Sequence, residues 1–281
     1  MSRPEHLMPP QSFYNEREAV KYTNSTRIIE IQAQMASRCL ELLDLPEGPA
    51  ICLDLGCGSG LSGEILSENG HLWWGLDISE DMLDVALSRD TDGELLQNDL
   101  GQGFNFVPGF FDAAISVSAI QWLCNADKKC HDPWKRLLCF FQSLKKALTS
   151  EGKAVLQFYP EDQIQLEMIC NSAMNAGFAG GLYIDYPNSG TAKKHYLVLF
   201  NEREGRLGIE VREGLTDEEG VNMIVNKANP KKKISKHKGK KDLFSTKSKY
   251  WIFKKKEKQR QAGLKVRKDT KYTGRKRKKY F

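Results

Sequence analysis

The chain lacks any apolar run approaching the roughly 20 residues needed to cross a bilayer, so no membrane role is expected. Its first ten residues, Met1 to Pro10, are polar and proline-rich and hold no signal-peptide core. Cysteine is sparse and unpaired in pattern. The seven residues Cys39, Cys52, Cys57, Cys124, Cys130, Cys139 and Cys170 are odd in number and scattered, mostly within apolar runs. They suggest reduced thiols in a cytosolic or nuclear protein rather than a disulfide framework. No C-x-x-C pair is present to anchor zinc on Cys124, Cys130, His131 and Cys139, so no metal is expected.

The charge that is present is strongly segregated. Residues 201–281 hold 27 Lys/Arg and 10 Asp/Glu, leaving 15 and 26 of the totals for residues 1–200. A formal net charge of +6 therefore conceals an acidic body and a basic tail, an asymmetry that suggests a polyanionic partner for the tail.

Two helical stretches open the chain, over about residues 15–22 and 25–43. In the second, Ile28, Ile31, Met35, Cys39 and Leu42 recur at helical spacing, and Pro46, Gly48 and Pro49 end it. From residue 50 short apolar strands alternate with amphipathic helices. Strands are expected at 51–55, 72–76, 94–97, 113–117, 153–158, 182–185 and 195–200. Helices are expected at 61–68, 80–88 after a Ser79 cap, 133–148 with Pro133 in the first turn, and 162–175 before Gly177. The last two strands have no helix between them and read as an antiparallel pair. This pattern implies an α/β fold, a doubly wound and mostly parallel seven-stranded sheet over residues 1–200. Beyond Phe200 the sheet pattern stops, and residues 201–281 form a basic, largely disordered extension.

The strongest local signal is Leu53-Asp54-Leu55-Gly56-Cys57-Gly58-Ser59-Gly60, an apolar strand running into alternating glycines that open a helix. Side chains at these positions block a ligand approaching the backbone, and the turn requires positive φ. The helix N-terminus adds free N–H groups. Asp77, at the end of the next strand, is placed to accept hydrogen bonds from both hydroxyls of a ribose. Gly58, Gly60 and Gly63, with Asp77 following, also fit the dinucleotide fingerprint G-x-G-x-x-G, so an NAD-dependent oxidoreductase is a competing reading. Two details favour S-adenosylmethionine (SAM). Asp54-Leu55-Gly56 resembles methyltransferase motif I. Asn98-Asp99-Leu100 puts a carboxylate where methyltransferases hold the adenine amino group. The expected cofactor set is Asp54, Gly56, Gly58, Gly60, Asp77, Ile78, Asp99, Leu100 and Ser116, with Ile78 against adenine.

The segment Ser116-Val117-Ser118-Ala119-Ile120-Gln121-Trp122-Leu123 leaves the fourth strand, where ligands of open α/β sheets bind. It contains neither Asn-Pro-Pro-Tyr nor Asp-Pro-Pro-Tyr, the sequence that grips an exocyclic amine, and no cysteine with an evident base partner. Absence of acid–base machinery fits transfer to guanine N7, whose lone pair is free. Such a transfer needs only in-line placement and a suitable electrostatic setting. Trp122 is the expected base-positioning residue, favouring the cationic product through a cation–π contact; the plainer alternative is a core tryptophan. Phe13, Tyr14 and Tyr22, near Arg27, either close the pocket or simply pack a helix on the sheet.

In the tail, Lys254-Lys255-Lys256-Glu257-Lys258-Gln259-Arg260 and Arg275-Lys276-Arg277-Lys278-Lys279 are suited to phosphates. Interleaved aromatics such as Tyr250, Trp251 and Phe253 can stack on unpaired bases. The same runs read as a nuclear import signal.

Together these residues resemble the eukaryotic 18S ribosomal RNA guanine-N7 methyltransferases. The points of likeness include Ala119-Ile120-Gln121-Trp122-Leu123-Cys124-Asn125-Ala126, Ile184-Asp185-Tyr186-Pro187-Asn188-Ser189 and the ending Tyr272-Thr273-Gly274-Arg275-Lys276-Arg277-Lys278, the narrowest being the run from Gln121 to Ala126 and that ending. Trp74-Gly75-Leu76-Asp77-Ile78-Ser79 adds to them. Residues 201–250 depart from the family's pattern, being lysine-rich in their second half. The resemblance implies SAM-dependent methylation of one guanine during assembly of the pre-40S particle in the nucleus. It also implies a small zinc-containing activator protein pairing with the sheet edge at residues 94–97. A non-catalytic preribosome assembly factor is the rival from a different class.

Overall fold

Short apolar strands that alternate with amphipathic helices can bury two faces only by stacking helices on both sides of one sheet. The computed structural model describes residues 3–189, 192–201 and 209–213, with 256, 260 and 268 as single positions. Its strands are β1 (Ile51–Leu55), β2 (Leu72–Asp77), β3 (Glu94–Gln97), β4 (Phe111–Val117), β5 (Leu148–Phe158), β6 (Ala179–Asp185), β7 (Lys194–Phe200) and β8 (Ile209–Glu213). They lie in the order β3-β2-β1-β4-β5-β7-β6-β8. The first five are parallel, β7 runs antiparallel to both β5 and β6, and β8 is parallel to β6.

The seven strands expected from sequence are all present. The eighth corrects one expectation, because strand structure resumes at Ile209 after the pattern was expected to end at Phe200. A five-residue strand bordered by charged residues gives little periodicity to detect. The chain divides into the units Met1–Ala228 and Asn229–Phe281, and the sheet belongs to the first. The expectation of a disordered tail falls almost wholly outside the described residues.

Helices α1 (Pro10–Phe13), α2 (Glu16–Thr23), α3 (Thr26–Leu43), α4 (Leu61–Glu68), α5 (Glu80–Ser88), α6 (Pro133–Ala147) and α7 (Gln163–Asn175) complete the unit. Period-two alternation sends neighbouring strand residues to opposite faces. Cys52, Ile115, Val155 and Val198 join one core with Met35, Ala36, Cys39 and Leu43 of α3 and Leu66 of α4. Leu53, Ala114, Leu156 and Leu197 join the other with Leu137, Phe140, Phe141 and Leu144 of α6 and Ile169 of α7. The caps are local: the side chains of Asn15, Ser79, Asp132 and Asp162 accept from backbone N–H groups of the first turns of α2, α5, α6 and α7.

After β7, Asn201 fastens the sheet to the start of β5. Its amide nitrogen faces the carbonyls of Lys145, Leu148 and Thr149 at 3.1, 3.0 and 2.7 Å, and its Oδ1 accepts from Lys145 Nζ at 2.9 Å. Nothing in the sequence pattern marks it. Removing the amide strands buried carbonyls, so Asn201→Ala should cost about 1–3 kcal/mol in urea unfolding, with the secondary structure unchanged by circular dichroism.

Candidate active site

The strand order reverses between β1 and β4, and the crevice outside their carboxyl ends is where an open α/β sheet binds ligands. A cavity of about 890 Å³, its mouth included, lies there. Its floor is the turn after β1. The amides of Gly56 and Cys57 both donate to the Leu76 carbonyl, at 2.7 and 3.1 Å, and that of Gly58 donates to Asp77 Oδ2 at 2.9 Å. Gly56 and Gly58 have φ of +82° and +53°, a region that disfavours side chains. A Cβ on Gly56 would lie 2.3 Å from Ala119 Cβ.

Of the residues expected from sequence, Gly56, Gly58, Asp77, Ile78, Asp99, Leu100 and Trp122 line this cavity. Asp54, Gly60 and Ser116 do not, and each has a structural reason. Asp54 is fully buried and accepts from Ser62 Oγ at 2.6 Å, fastening α4 to the end of β1. Gly60 is the left-handed residue before α4, and its Cα faces Thr91 and Ala86. Ser116 is buried and donates to the Leu55 carbonyl at 2.6 Å.

Asp77 accepts from Ser79 N at 2.9 Å on its other oxygen. Burial raises its pKa, opposed by the amides of Ser79, Gly58 and Ile78. Asp99 is engaged more fully than its expected role allows. Oδ1 accepts from Arg136 Nη2 at 2.8 Å and Gly101 N at 3.0 Å, and Oδ2 from Arg136 Nη1 and Gln102 Nε2, both at 3.1 Å. A carboxylate offers about four lone-pair positions, so none remains for an amino group in this arrangement. Burial disfavours its ionisation, but the Arg136 guanidinium together with the Gln102 and Gly101 donors outweighs that and holds the carboxyl below its ordinary range.

The opposite wall is aromatic. Trp122 is 7% exposed, packed as a core tryptophan is, and it also lines the cavity. Phe13 and Tyr14 pack against it, tilted and edge-on, with centroids 6.0 and 5.8 Å away, and Tyr14 meets Tyr22 edge-on. Tyr14 is tied down by its carbonyl, which accepts from Ser79 Oγ at 2.7 Å. Tyr14 and Tyr22 both line the cavity. Burial raises both phenol pKa values far above the ordinary range, so neither hydroxyl is a base at neutral pH. The Cys124 thiol, pushed up to about 12 by burial, is no nucleophile. Ser118 holds a left-handed φ of +57° because Gln157 Oε1 accepts from both its amide and its hydroxyl, at 3.0 and 2.8 Å.

Arg136, Asn98, Ser59 and Met82 also line the cavity, and sequence reasoning gave none of them a role. Asn98 lay within a motif already singled out, whereas no local signal points to Arg136. The Oγ of Ser59 and Oδ1 of Asn98 are buried without a protein partner. Orphaned polar atoms, a glycine cradle and a strand-end carboxylate fit a nucleoside bearing a polar tail.

These features define the class. A methyltransferase domain model matches residues 53–156. Haemonchus contortus phosphoethanolamine N-methyltransferase 2 in complex with S-adenosyl-L-methionine aligns at a TM-score of 0.51 with 15% identity, over 72% of this chain and 61% of that one. The particular family follows from longer matches. A model described as methyltransferase involved in Williams-Beuren syndrome matches residues 204–279, which overturns the expectation that residues 201–250 depart from the family's pattern. The 18S rRNA (guanine-N(7))-methyltransferase of Mus musculus is 51% identical over 280 residues, 99% of this chain and 98% of its own. The 18S rRNA (guanine(1575)-N(7))-methyltransferase of Saccharomyces cerevisiae is 51% identical over 285 residues, the full length of both. The chain belongs to the 18S ribosomal RNA guanine-N7 methyltransferase family.

Burial raises the Asp54 pKa to about 7, Ser62 opposes the shift, and Asp77 adds to it. A carboxyl raised in the folded state supports stability fully below its unfolded pKa and loses that support as pH rises through the folded value. The urea midpoint of the parent should therefore fall between pH 5 and pH 8 by more than that of Asp54→Asn. Parallel slopes for the two proteins would rule out a raised Asp54.

Proposed function

We infer that the chain transfers the methyl group of SAM to N7 of a guanine in 18S ribosomal RNA during small-subunit biogenesis. One observation carries this reading: half-identity over the whole chain to enzymes of that activity, joined to a cavity whose aromatic wall, around Trp122, Tyr14 and Tyr22, offers no general base. SAM supplies an electrophilic methyl on a sulfonium. The backbone at Gly56 and Gly58 admits its methionine part closely, Asp77 accepts from the ribose hydroxyls, and Ile78 and Leu100 flank the adenine. Asp99 acts mainly by fixing Arg136 in the wall, and the orphaned Asn98 Oδ1 is the better acceptor for the adenine amine. Asp54, Gly60 and Ser116 support this set from behind.

The guanine enters turned out of its helix and rests on Trp122, backed by Phe13 and Tyr14. Its N7 lone pair forms the new bond as the carbon–sulfur bond breaks and its electron pair returns to sulfur. No proton moves, so the neutral phenols and thiols around the cavity are no impediment. Placement and exclusion of water are what these residues contribute. The cation formed on guanine is favoured by the Trp122 ring. The basic residues 201–281 contact RNA phosphates and direct the protein to the nucleus.

A small zinc-containing activator completes the enzyme by pairing with β3. Support comes from the open edge of that strand and the apolar side chains left beside it, Leu96 at 42% and Phe110 at 40% exposure. Unpaired apolar edges invite strand addition. Leu96→Lys should reduce recovery of a co-expressed activator several-fold on affinity purification while leaving the monomer's circular dichroism spectrum intact.

Calorimetric titration of the co-expressed protein tests the cofactor. SAM should bind and NAD should give no heat, and the reverse pattern would overturn the reading. Asp77→Ala should weaken SAM binding at least about tenfold, as expected for loss of hydrogen bonds to a charged group. It should also abolish N7-methylguanine in 18S RNA. Persistence of ribosome assembly with that variant would show that assembly is a separate duty of the protein.

A further inference from the structure

We propose that residues 125–135 form a second RNA-contacting surface on the enzyme body, distinct from the basic tail. In it Lys128, Lys129 and Lys135 hold phosphates flanking the target guanine, and Trp134 stacks on a neighbouring base. The proposal rests on the RNA-methyltransferase reading above and adds to it where the substrate strand lies.

Placement is the first argument. The chain leaves the cavity wall at Trp122 and Leu123 and rejoins it at Arg136, so the intervening segment borders the mouth. Charge is the second. Residues 1–200 carry 15 cationic side chains against 26 acidic ones, a balance that repels RNA. Three of those cations fall within the eight positions 128–135. Lys128 and Lys129 are exposed, and the Lys135 side chain is 85% exposed, with only a loose 3.9 Å approach to Asp132. Asp127 and Asp132 share the segment, so its three exposed lysines form a weakly net-positive strip on an acidic body, and such a strip sets where a polyanion can settle.

Trp134 is the third. Its spacing continues the stripe of Leu137, Phe141 and Leu144, which favours ordinary core packing. Those three are fully buried, however, while Trp134 is 47% exposed. A large aromatic ring half in water beside lysines is suited to sequence-tolerant stacking on an unpaired base.

The segment is also held in place by groups other than these. Asp132 Oδ1 accepts from Trp134 N at 3.1 Å, and His131 N donates to the Lys128 carbonyl at 3.0 Å. Arg136 Nη1 lies 3.2 Å from His131 Nε2, and Arg136 is itself paired with Asp99 at the cavity. The turn is thereby joined to the site through backbone and buried side chains, and its cations and ring remain available.

The test uses the full chain co-expressed with its activator, SAM, and small-subunit precursor particles from cells lacking the methyl mark. Lys128→Glu/Lys129→Glu and Trp134→Ala should each raise KM for the particles about tenfold, the scale of one stacked base or a few phosphate contacts. The value of kcat and the calorimetric affinity for SAM should not change. Unchanged KM in the double lysine variant, whose side chains are too exposed to affect folding, would overturn the proposal. A photo-reactive residue at position 134 should yield nucleotide adducts, and adducts to ribosomal protein alone would overturn the RNA assignment in favour of a protein contact. A parent enzyme that binds SAM but methylates no particle would instead defeat the substrate reading, and this proposal with it.

Discussion

The clamp between the turn after β1 and the end of β2 is the constraint on which the site depends. One carbonyl, that of Leu76, takes two amides from the turn, and the neighbouring Asp77 carboxylate takes a third. This fixes three consecutive backbone groups relative to a carboxylate that still has lone pairs to offer. It also requires left-handed backbone at Gly56 and Gly58; Ala119 leaves no space for a Cβ on Gly56, and the Met82 methyl would have to move for one on Gly58. Beneath the turn Asp54 is buried at the cost of a raised pKa, and its bond to Ser62 keeps α4 aimed at the crevice. Two carboxylates thus serve one loop, one from below as an anchor and one from the rim as an acceptor.

Across from that clamp the cavity wall is made of groups that resist ionisation. Tyr14 and Tyr22 are raised by burial. A wall of this kind suits an acceptor that arrives with its own lone pair and forms its cation on the ring, because no residue has to change protonation state. On the proposed reading, the placement of Trp122, packed against Phe13 and Tyr14, then matters more than any acid or base. Those two residues come from the N-terminal segment, so the part of the chain preceding the sheet completes the site.

The sheet and its covering helices were legible because their signals are local: alternation in β1, β4 and β5, and caps at Ser79, Asp132 and Asp162. The glycine turn and Asp77 were legible for the same reason, since one short run of chain builds the clamp. What the sequence hid depends on distant partners. Asp54 and Ser116 sit in motifs that line sites, yet they point at Ser62 and Leu55. Asp99 occupies the expected position but is saturated by Arg136, 37 residues away. Tyr14 and Tyr22 could be named but not assigned, because a helix packed on a sheet and a wall of a pocket have the same periodicity. β8 escaped because five residues in a charged context give too short an alternation to stand out.

The two edges of the sheet are managed differently, and the difference bears on how the site is held. At one end β8 pairs with β6 and covers it. At the other β3 is only four residues long and has no further strand beside it among the described residues. Short edge strands usually limit unwanted pairing, but here the open strand leads straight into Asn98 and Asp99. Asn98 N donates to the Asp77 carbonyl at 2.8 Å, so the end of β3 is joined to the residue at the centre of the clamp. A strand added to β3 would therefore steady two walls of the cavity together without touching any ligand. In the proposed arrangement an activator paired at this edge and the cofactor would share one continuous piece of backbone, which is a physical reason for an activator to act at the edge rather than at the mouth.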